Sequence, residues 1–383
     1  MIKVRFFNVV IIGLLGMVLT SFLQEKESIK YWQVATIESS AADEPLIVET
    51  YKDTLTNETI FLHKTKDNLP LHYYKKVTGE VCIDQECRLL NIVVYWNITG
   101  RYLGFELPKG EFLSKYDHEP FSESEYQRLH QLLADSSMPL DVVSFEKLVE
   151  QPNKEQGTAD AVSGATSKSV ADMVVKGAAY TTYKLWNVIN GPTMDLVSEL
   201  TEKQLTPLLI NRILQSPDNS DKLWALNRIV SATELTPDLE TSLLEIVSSD
   251  DFYLAYSAIQ AVEPVHLKAT DLQEHLYSMY ANVNHSIQKE LLKKLGQAPE
   301  LSLEVVNASR DLLNQLNGQQ LDDLLKLYSK HGVNDLETCR SVVRILENEN
   351  KYISKKAYDF LIGLQIDDAT IMERLDAYKK GKH

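Results

Sequence analysis

Cysteine is scarce in this chain, with three residues among 383, too few for a fold stapled by disulfides. Positive charge is also short: 39 Lys and Arg face 54 Asp and Glu, for a formal charge of −15. A balance this acidic leaves no footprint for a phosphate backbone and excludes nucleic acid as a partner. The sequence holds no phosphate-cradling P-loop, no dinucleotide fingerprint and no Ser/His/Asp order. His118 and Glu119 in "YDHEP" lack metal-ligand spacing, and the adjoining proline makes them a turn. No catalytic residue and no metal ligand is therefore assigned.

Long apolar runs are missing too, except at the N-terminus. There the 15 residues from Val9 to Leu23 follow Lys3 and Arg5, and charge resumes at Glu25. A full span needs about 20 apolar residues, so the run matches a signal-peptide core. Phe6 and Phe7 extend it and no Ala-x-Ala site follows, so residues 1–24 read as a cleaved signal peptide or as a retained membrane anchor. With no cysteine at the end of the run, a lipoprotein is not supported. The basic flank stays cytoplasmic, which puts everything beyond it on the extracytoplasmic side of the envelope, whether periplasmic, secreted or anchored.

What is present is a chain 44% apolar, enough for two substantial cores. From about residue 45 to 115 the text alternates in β fashion: "PLIVETYKDTLTNETIFLHKT", "GEVCID" and "CRLLNIVVYWNITGRYLGFELP", with "DN", "DQ" and "TG" turns between. An antiparallel sheet is expected. "SESEYQRLHQLLAD" then starts with a capping box, Ser122 to Glu125, and carries a helical stripe of Tyr126, Leu129, Leu132 and Leu133. Further on, Val170, Val174, Ala178, Leu185 and Val188 fall on one face of a long helix that Asn190, Gly191 and Pro192 end. Residues 25–190 thus form an α+β domain. Cys82 and Cys87 bracket a hairpin, where a disulfide is the first reading in an oxidising compartment and two free thiols the second. Cys339 sits on an apolar helix face and reads as core.

Strand patterns vanish over residues 191–383. Amphipathic stretches follow one another, and "ILQSPDN", "IVSSDDF" and "MYANVNH", at Ile213, Ile246 and Met279, are offset by 33 residues each time. Leu226, Ile259 and Leu292 keep that register, as do Ile229, Val262 and Leu295. An all-α domain of helical-pair repeats, solenoid-like, is expected, with the register drifting beyond about residue 300; a plain helical bundle is the alternative.

Between these two patterns lies "DAVSGATSKSV" at residues 160–170. A helix start offers unpaired N–H groups and positive partial charge to a phosphate. Gly164 and Ala165 leave room for close approach, and Thr166 presents a hydroxyl there. Ser169 with Asp172 can cap the helix without it, so folding alone does not account for "DAVSGAT". The stretch resembles the flavinylation motif of the FMN-binding domain family, found in the G subunit of Rnf complexes and the C subunit of sodium-pumping NADH:quinone reductase. That pattern runs from an acidic residue through Ser or Thr, Gly and Ala to a Thr esterified to FMN phosphate, and Asp160, Ser163, Gly164, Ala165 and Thr166 match it. The resemblance covers roughly residues 45–190. It implies covalent FMN on Thr166 and modification by FAD:protein FMN transferase, an extracytoplasmic, Mg²⁺-dependent enzyme, which agrees with the export signal.

Tyr95, Trp96 and Tyr102 are open either as stacking partners for an isoalloxazine ring or as core packing. His130 is expected at the surface, and Asp322 and Asp323 on a solvated helix face. The expected function is electron relay between redox partner proteins, which includes docking to a membrane redox complex, with the helical domain as the interaction surface. The alternatives are a helical scaffold of the envelope without flavin and an FMN-dependent extracytoplasmic reductase.

Overall fold

The computed structural model describes residues 28–38, 47–53, 58–81, 88–115, 118–144, 147–148, 170–229 and 235–381. The chain divides into two compact units, Met1–Lys203 and Gln204–His383. The division falls one helix later than the break expected at Asn190, because the helix after Pro192 belongs with the first unit. An α+β layout is followed by an all-α one.

In the first unit six strands pair antiparallel: β1 (Lys30–Trp32), β2 (Ile47–Asp53), β3 (Glu58–Lys64), β4 (Pro70–Gly79), β5 (Leu90–Asn97) and β6 (Tyr102–Glu106). Their order is β1-β6-β5-β4-β3-β2, a meander from β2 to β6 with β1 added beside β6. The longest strand, β4, falls inside the β region of residues 45–115 but, except for Gly79, between the stretches singled out in it. In "GEVCID", expected to be a strand, Gly79 ends β4, Glu80 and Val81 are outside any strand, and the rest lies outside the described residues.

Alternation puts Ile60, Leu62, Tyr73, Val77, Ile92, Val94 and Trp96 on one buried face. Three helices pack there: α1 (Glu123–Ala134), α2 (Ala179–Asn190) and α3 (Pro192–Glu202). The capping box of α1 forms as its sequence requires, with Ser122 and Glu125 exchanging hydrogen bonds, and its stripe of Tyr126, Leu129, Leu132 and Leu133 is buried. Helix α1 rests on β6 and α2, and α2 rests on β5. The Trp96 indole N–H donates to Ile189 O at 2.9 Å, and Thr201 of α3 donates to the Tyr73 hydroxyl at 3.3 Å. A buried ion pair lies on this face: Lys75, 1% exposed, pairs with Glu58 at 2.5 Å and Asp53 at 3.4 Å, and Thr193 Oγ1 donates to the same Asp53 oxygen at 3.2 Å. A buried ammonium persists only with such partners.

Gly104 sets how β1 joins the sheet. A Cβ there would press on Tyr31 O and approach the Trp32 ring to 2.8 Å and Trp32 Cα to 3.1 Å. Gly104→Val is expected to loosen β1 and cost about 1–3 kcal/mol. The Gln33 N–H, which donates to Leu103 O at 2.6 Å, then exchanges with solvent faster. Unchanged protection there would show that β1 is held by other contacts.

The second unit contains only helices among its described residues: α4 (Pro207–Leu214), α5 (Asn219–Leu226), α6 (Pro237–Val247), α7 (Phe252–Ala261), α8 (Thr270–Ser278), α9 (His285–Leu295), α10 (Leu303–Leu312), α11 (Gly318–His331), α12 (Leu336–Arg344), α13 (Lys351–Ile362) and α14 (Ala369–Lys380). Alternate helices touch: α4, α6, α8, α10, α12 and α14 follow one another in one row, and α5, α7, α9, α11 and α13 in a second. Helices of the second row are capped by Asp218, Asp251, Asn284, Asn317 and Asn350, each 33 positions after the last. The side chain accepts a first-turn N–H in every case, which stabilises each helix by about 1 kcal/mol. This spacing runs past residue 300, where drift was expected.

Leu226, Ile229, Ile259, Val262, Leu292 and Leu295 are all buried between the rows, and Cys339 is buried as well. Lys294 is the exception among apolar neighbours: its Nζ donates to Val262 O at 2.7 Å, just past the end of α7. There an ammonium meets carbonyls with no helical partner.

Candidate functional site

The matched residues Asp160, Ser163, Gly164, Ala165 and Thr166 lie outside the described residues, as do Cys82, Cys87 and residues 1–27. What is described is the segment that leads away from Thr166, beginning at Val170, which is 3% exposed. It is not the start of a long helix. Residues 170–178 form turns closed by Met173 N to Val170 O and Ala178 N to Val175 O, each 2.9 Å, and Gly177 takes φ +77°, outside helical geometry. Helix α2 begins only at Ala179. The apolar spacing that suggested a longer helix still buries Val170, Val174, Ala178 and Leu185, because successive turns can point the same side chains inward.

Two cations hold this segment against α1 and its approach. Arg128 Nη2 donates to Asp172 O at 2.5 Å; Ser169, the other half of the expected capping box, lies outside the described residues. The stem of Lys115 packs against Gly177 at 3.4 Å from where a Cβ would stand, while its ammonium pairs with Glu119 at 3.0 Å and Glu125 at 3.3 Å. Val175 N–H is taken up by Thr182 Oγ1 at 3.1 Å. His118 adopts φ +63° in a turn closed by Lys115 N to Glu119 O, the turn that the proline signals. Arg128 and Lys115 thus fasten residues 172 and 177, on the C-terminal side of the motif in sequence.

The three aromatic candidates do not share a surface. Trp96 and Tyr102 are register partners on the helix side of the sheet and are buried; Tyr102 OH bonds His130 Nδ1 at 2.9 Å. Neither is open to a ring stacked from outside. His130, expected at the surface, is half-buried, with Gln33 at 3.2 Å on its other nitrogen, and burial lowers its pKa. Tyr95, one residue before Trp96, points to the opposite face, as the pleat dictates.

That opposite face carries a cluster which alternation in β4 hides from the sequence. Trp32 meets Tyr95 at 4.7 Å and His72 at 5.7 Å between ring centroids. Phe61 stacks on Tyr74 at 4.8 Å. His63 Nδ1 and His72 Nε2 are 2.9 Å apart, and Lys30 stands 4.4 Å over the Trp32 ring. The signal was available in retrospect: "FLHK" and "LHYYK" place a His beside each aromatic step, and the register pairs His63 with His72.

Burial, then the charges of His63 and Lys30, hold the His72 pKa down to about 3, and burial lowers that of His63. Between the ordinary value of 6.5 and about 3 the unfolded chain binds protons that the folded one refuses, so stability falls as pH drops through that window. His72→Phe is expected to flatten this fall, read as the urea midpoint of the first unit at pH 6.5 against pH 5. A slope identical to wild type would remove His72 as its source.

Compared with known proteins, the chain matches no protein-family model and no curated protein. Among the described residues no group of three or more His, Cys, Asp or Glu could hold a metal ion, and no helix is long and apolar enough to cross a membrane.

Proposed function

We propose that this chain is an exported flavoprotein that carries FMN as a phosphoester on Thr166 and relays electrons between partner proteins outside the cytoplasm. The observation that carries the reading is "DAVSGAT" at residues 160–166, whose acidic residue, Ser, Gly, Ala and Thr match the flavinylation motif position by position. FAD:protein FMN transferase would supply the group. The Thr166 hydroxyl attacks the FMN phosphorus of FAD, the pyrophosphate bond breaks, AMP leaves and the hydroxyl proton passes to solvent. The α+β unit to which the motif belongs in sequence and the export signal that precedes it support the reading. The bound flavin would supply the redox chemistry; the chain's own residues hold it, limit its access to water and present it to partners. The sequence pattern places no acid or base for a substrate, which favours relay over a dedicated extracytoplasmic reductase.

The second unit reads as helical-pair repeats of a solenoid, supported by the two rows of helices and the 33-residue spacing of their caps. Such a unit offers a surface to a redox partner or a membrane complex. The same rows favour the second reading, a scaffold without flavin. Co-expression with the transferase separates the two: the denatured band fluoresces under ultraviolet light in the first case and stays dark in the second. Reoxidation that responds to partner proteins and not to small substrates would separate relay from reductase.

A further inference from the structure

The second unit carries a basic groove on an acidic chain. It runs between α9 and α11, encloses about 330 Å³ and is lined by Lys289, Lys293, Lys326 and Lys330 against a single acid, Asp323. All four lysines are exposed. Lys293 leans on Glu290 at 2.6 Å and Lys326 on Asp322 at 2.7 Å. Lys289 and Lys330 make no ion pair among the described residues.

Asp322 is not the solvated acid expected from its sequence. It is 8% exposed and also takes Lys356 at 2.7 Å. Burial would raise its carboxyl pKa, but the bonds from Lys326 and Lys356 outweigh it and hold it below the usual range. Its charge is shared between Lys326 of the groove and Lys356, so it offsets Lys326 only in part.

We infer that this groove binds an acidic peptide segment of a partner protein. Three features select that ligand. Lysines four apart on one helix stand about 6 Å apart along its axis, and neighbouring helix axes lie about 8–10 Å apart. The four ammonium groups therefore form a two-by-two array that meets carboxylates one helical turn apart on a ligand. The floor is apolar, made by Leu292 and Leu327, both 4% exposed, and opened by Gly296, where a Cβ would come within 3.2 Å of Lys293 O and 3.6 Å of the Lys330 stem. It accepts an apolar side chain set between the acids. Last, the acid of the lining, Asp323, has Oδ1 engaged by Gln319 at 3.0 Å and Oδ2 shielded from solvent, so it offers little repulsion to an acidic ligand. A peptide carries both carboxylates for the lysines and an apolar side chain for the floor, whereas inorganic phosphate carries no apolar group. The site stands on the second unit and does not depend on flavin.

The test uses the full chain and a fluorescein-labelled peptide with paired glutamates one helical turn apart around a central leucine. Fluorescence anisotropy is expected to saturate, to weaken as salt is raised and to need about tenfold more protein when Lys289→Glu and Lys330→Glu are combined. Lys268→Glu, an exposed charge elsewhere, is expected to leave the affinity unchanged. Because the reversed lysines are exposed, far-ultraviolet circular dichroism should be unchanged. Equal affinity in the double variant and in Lys268→Glu would overturn the proposal. So would displacement of the peptide by inorganic phosphate at equal charge. Binding to phosphatidylglycerol vesicles, or dimerisation, that is lost in the double variant while the peptide fails to bind would assign the groove to a membrane or to a second copy, and would equally overturn it.

Discussion

Thr166→Val is expected to abolish covalent flavin altogether in chain co-expressed with the transferase. Valine keeps the branched shape of threonine and replaces only the hydroxyl with a methyl, so the change removes the nucleophile and little else. Without that oxygen no bond forms to the FMN phosphorus and AMP is not released. Intact mass should then match the bare chain, and the denatured band should show no fluorescence, against full labelling of the unaltered chain. The neighbouring Ser163, Ser167 and Ser169 make the outcome discriminating: label retained in Thr166→Val would place attachment on one of them and remove the match at its central position. Arg128→Ala and Lys115→Ala are milder companions, expected to slow labelling without preventing it.

The largest effect on stability is expected at Trp96. Its side chain is fully buried, and its indole N–H occupies Ile189 O near the end of α2, one of the carbonyls that a helix cannot satisfy internally. Trp96→Ala removes the largest buried side chain of this face and leaves that carbonyl unpaired, at a cost of about 3–5 kcal/mol. Domains are stable by about 5–15 kcal/mol, so the loss is a major fraction for the first unit. Trp96→Phe keeps most of the ring area and loses the hydrogen bond, and should cost less. Urea unfolding followed by far-ultraviolet circular dichroism reads both. A midpoint for Trp96→Ala within error of wild type would show that α2 does not depend on this contact.

Local features were legible where neighbours in sequence decide the structure. The capping box at Ser122 and Glu125 is one, since its donor and acceptor sit within a single turn. Strands β2, β3, β5 and β6 are others, read from alternation of Val, Ile, Tyr and Phe. β4 escaped because "PLHYYKKVTG" puts a lysine at an inward position, which looks like a break in the pattern. Lys75 is acceptable there only because Asp53 and Glu58 come to it from β2 and β3. The long helix expected from residue 170 was wrong for a related reason: apolar spacing reports which side chains are inward, and Gly177 turns the backbone without changing that.

By itself the sequence determined the α+β then all-α order, the capped start of α1 at Ser122, the 33-residue spacing and the candidate attachment threonine, because each depends on residue types a few positions apart. Only the tertiary structure decided what surrounds Tyr95 on one face and Trp96 on the other, that His63 and His72 meet, and that Asp322 is buried between two lysines. It also decided that lysines from α9 and α11 share one groove on a chain of net charge −15. These are long-range pairings, set by strand register and helix packing, and composition averages them away: a surplus of acid over the whole chain says nothing about where four cations converge.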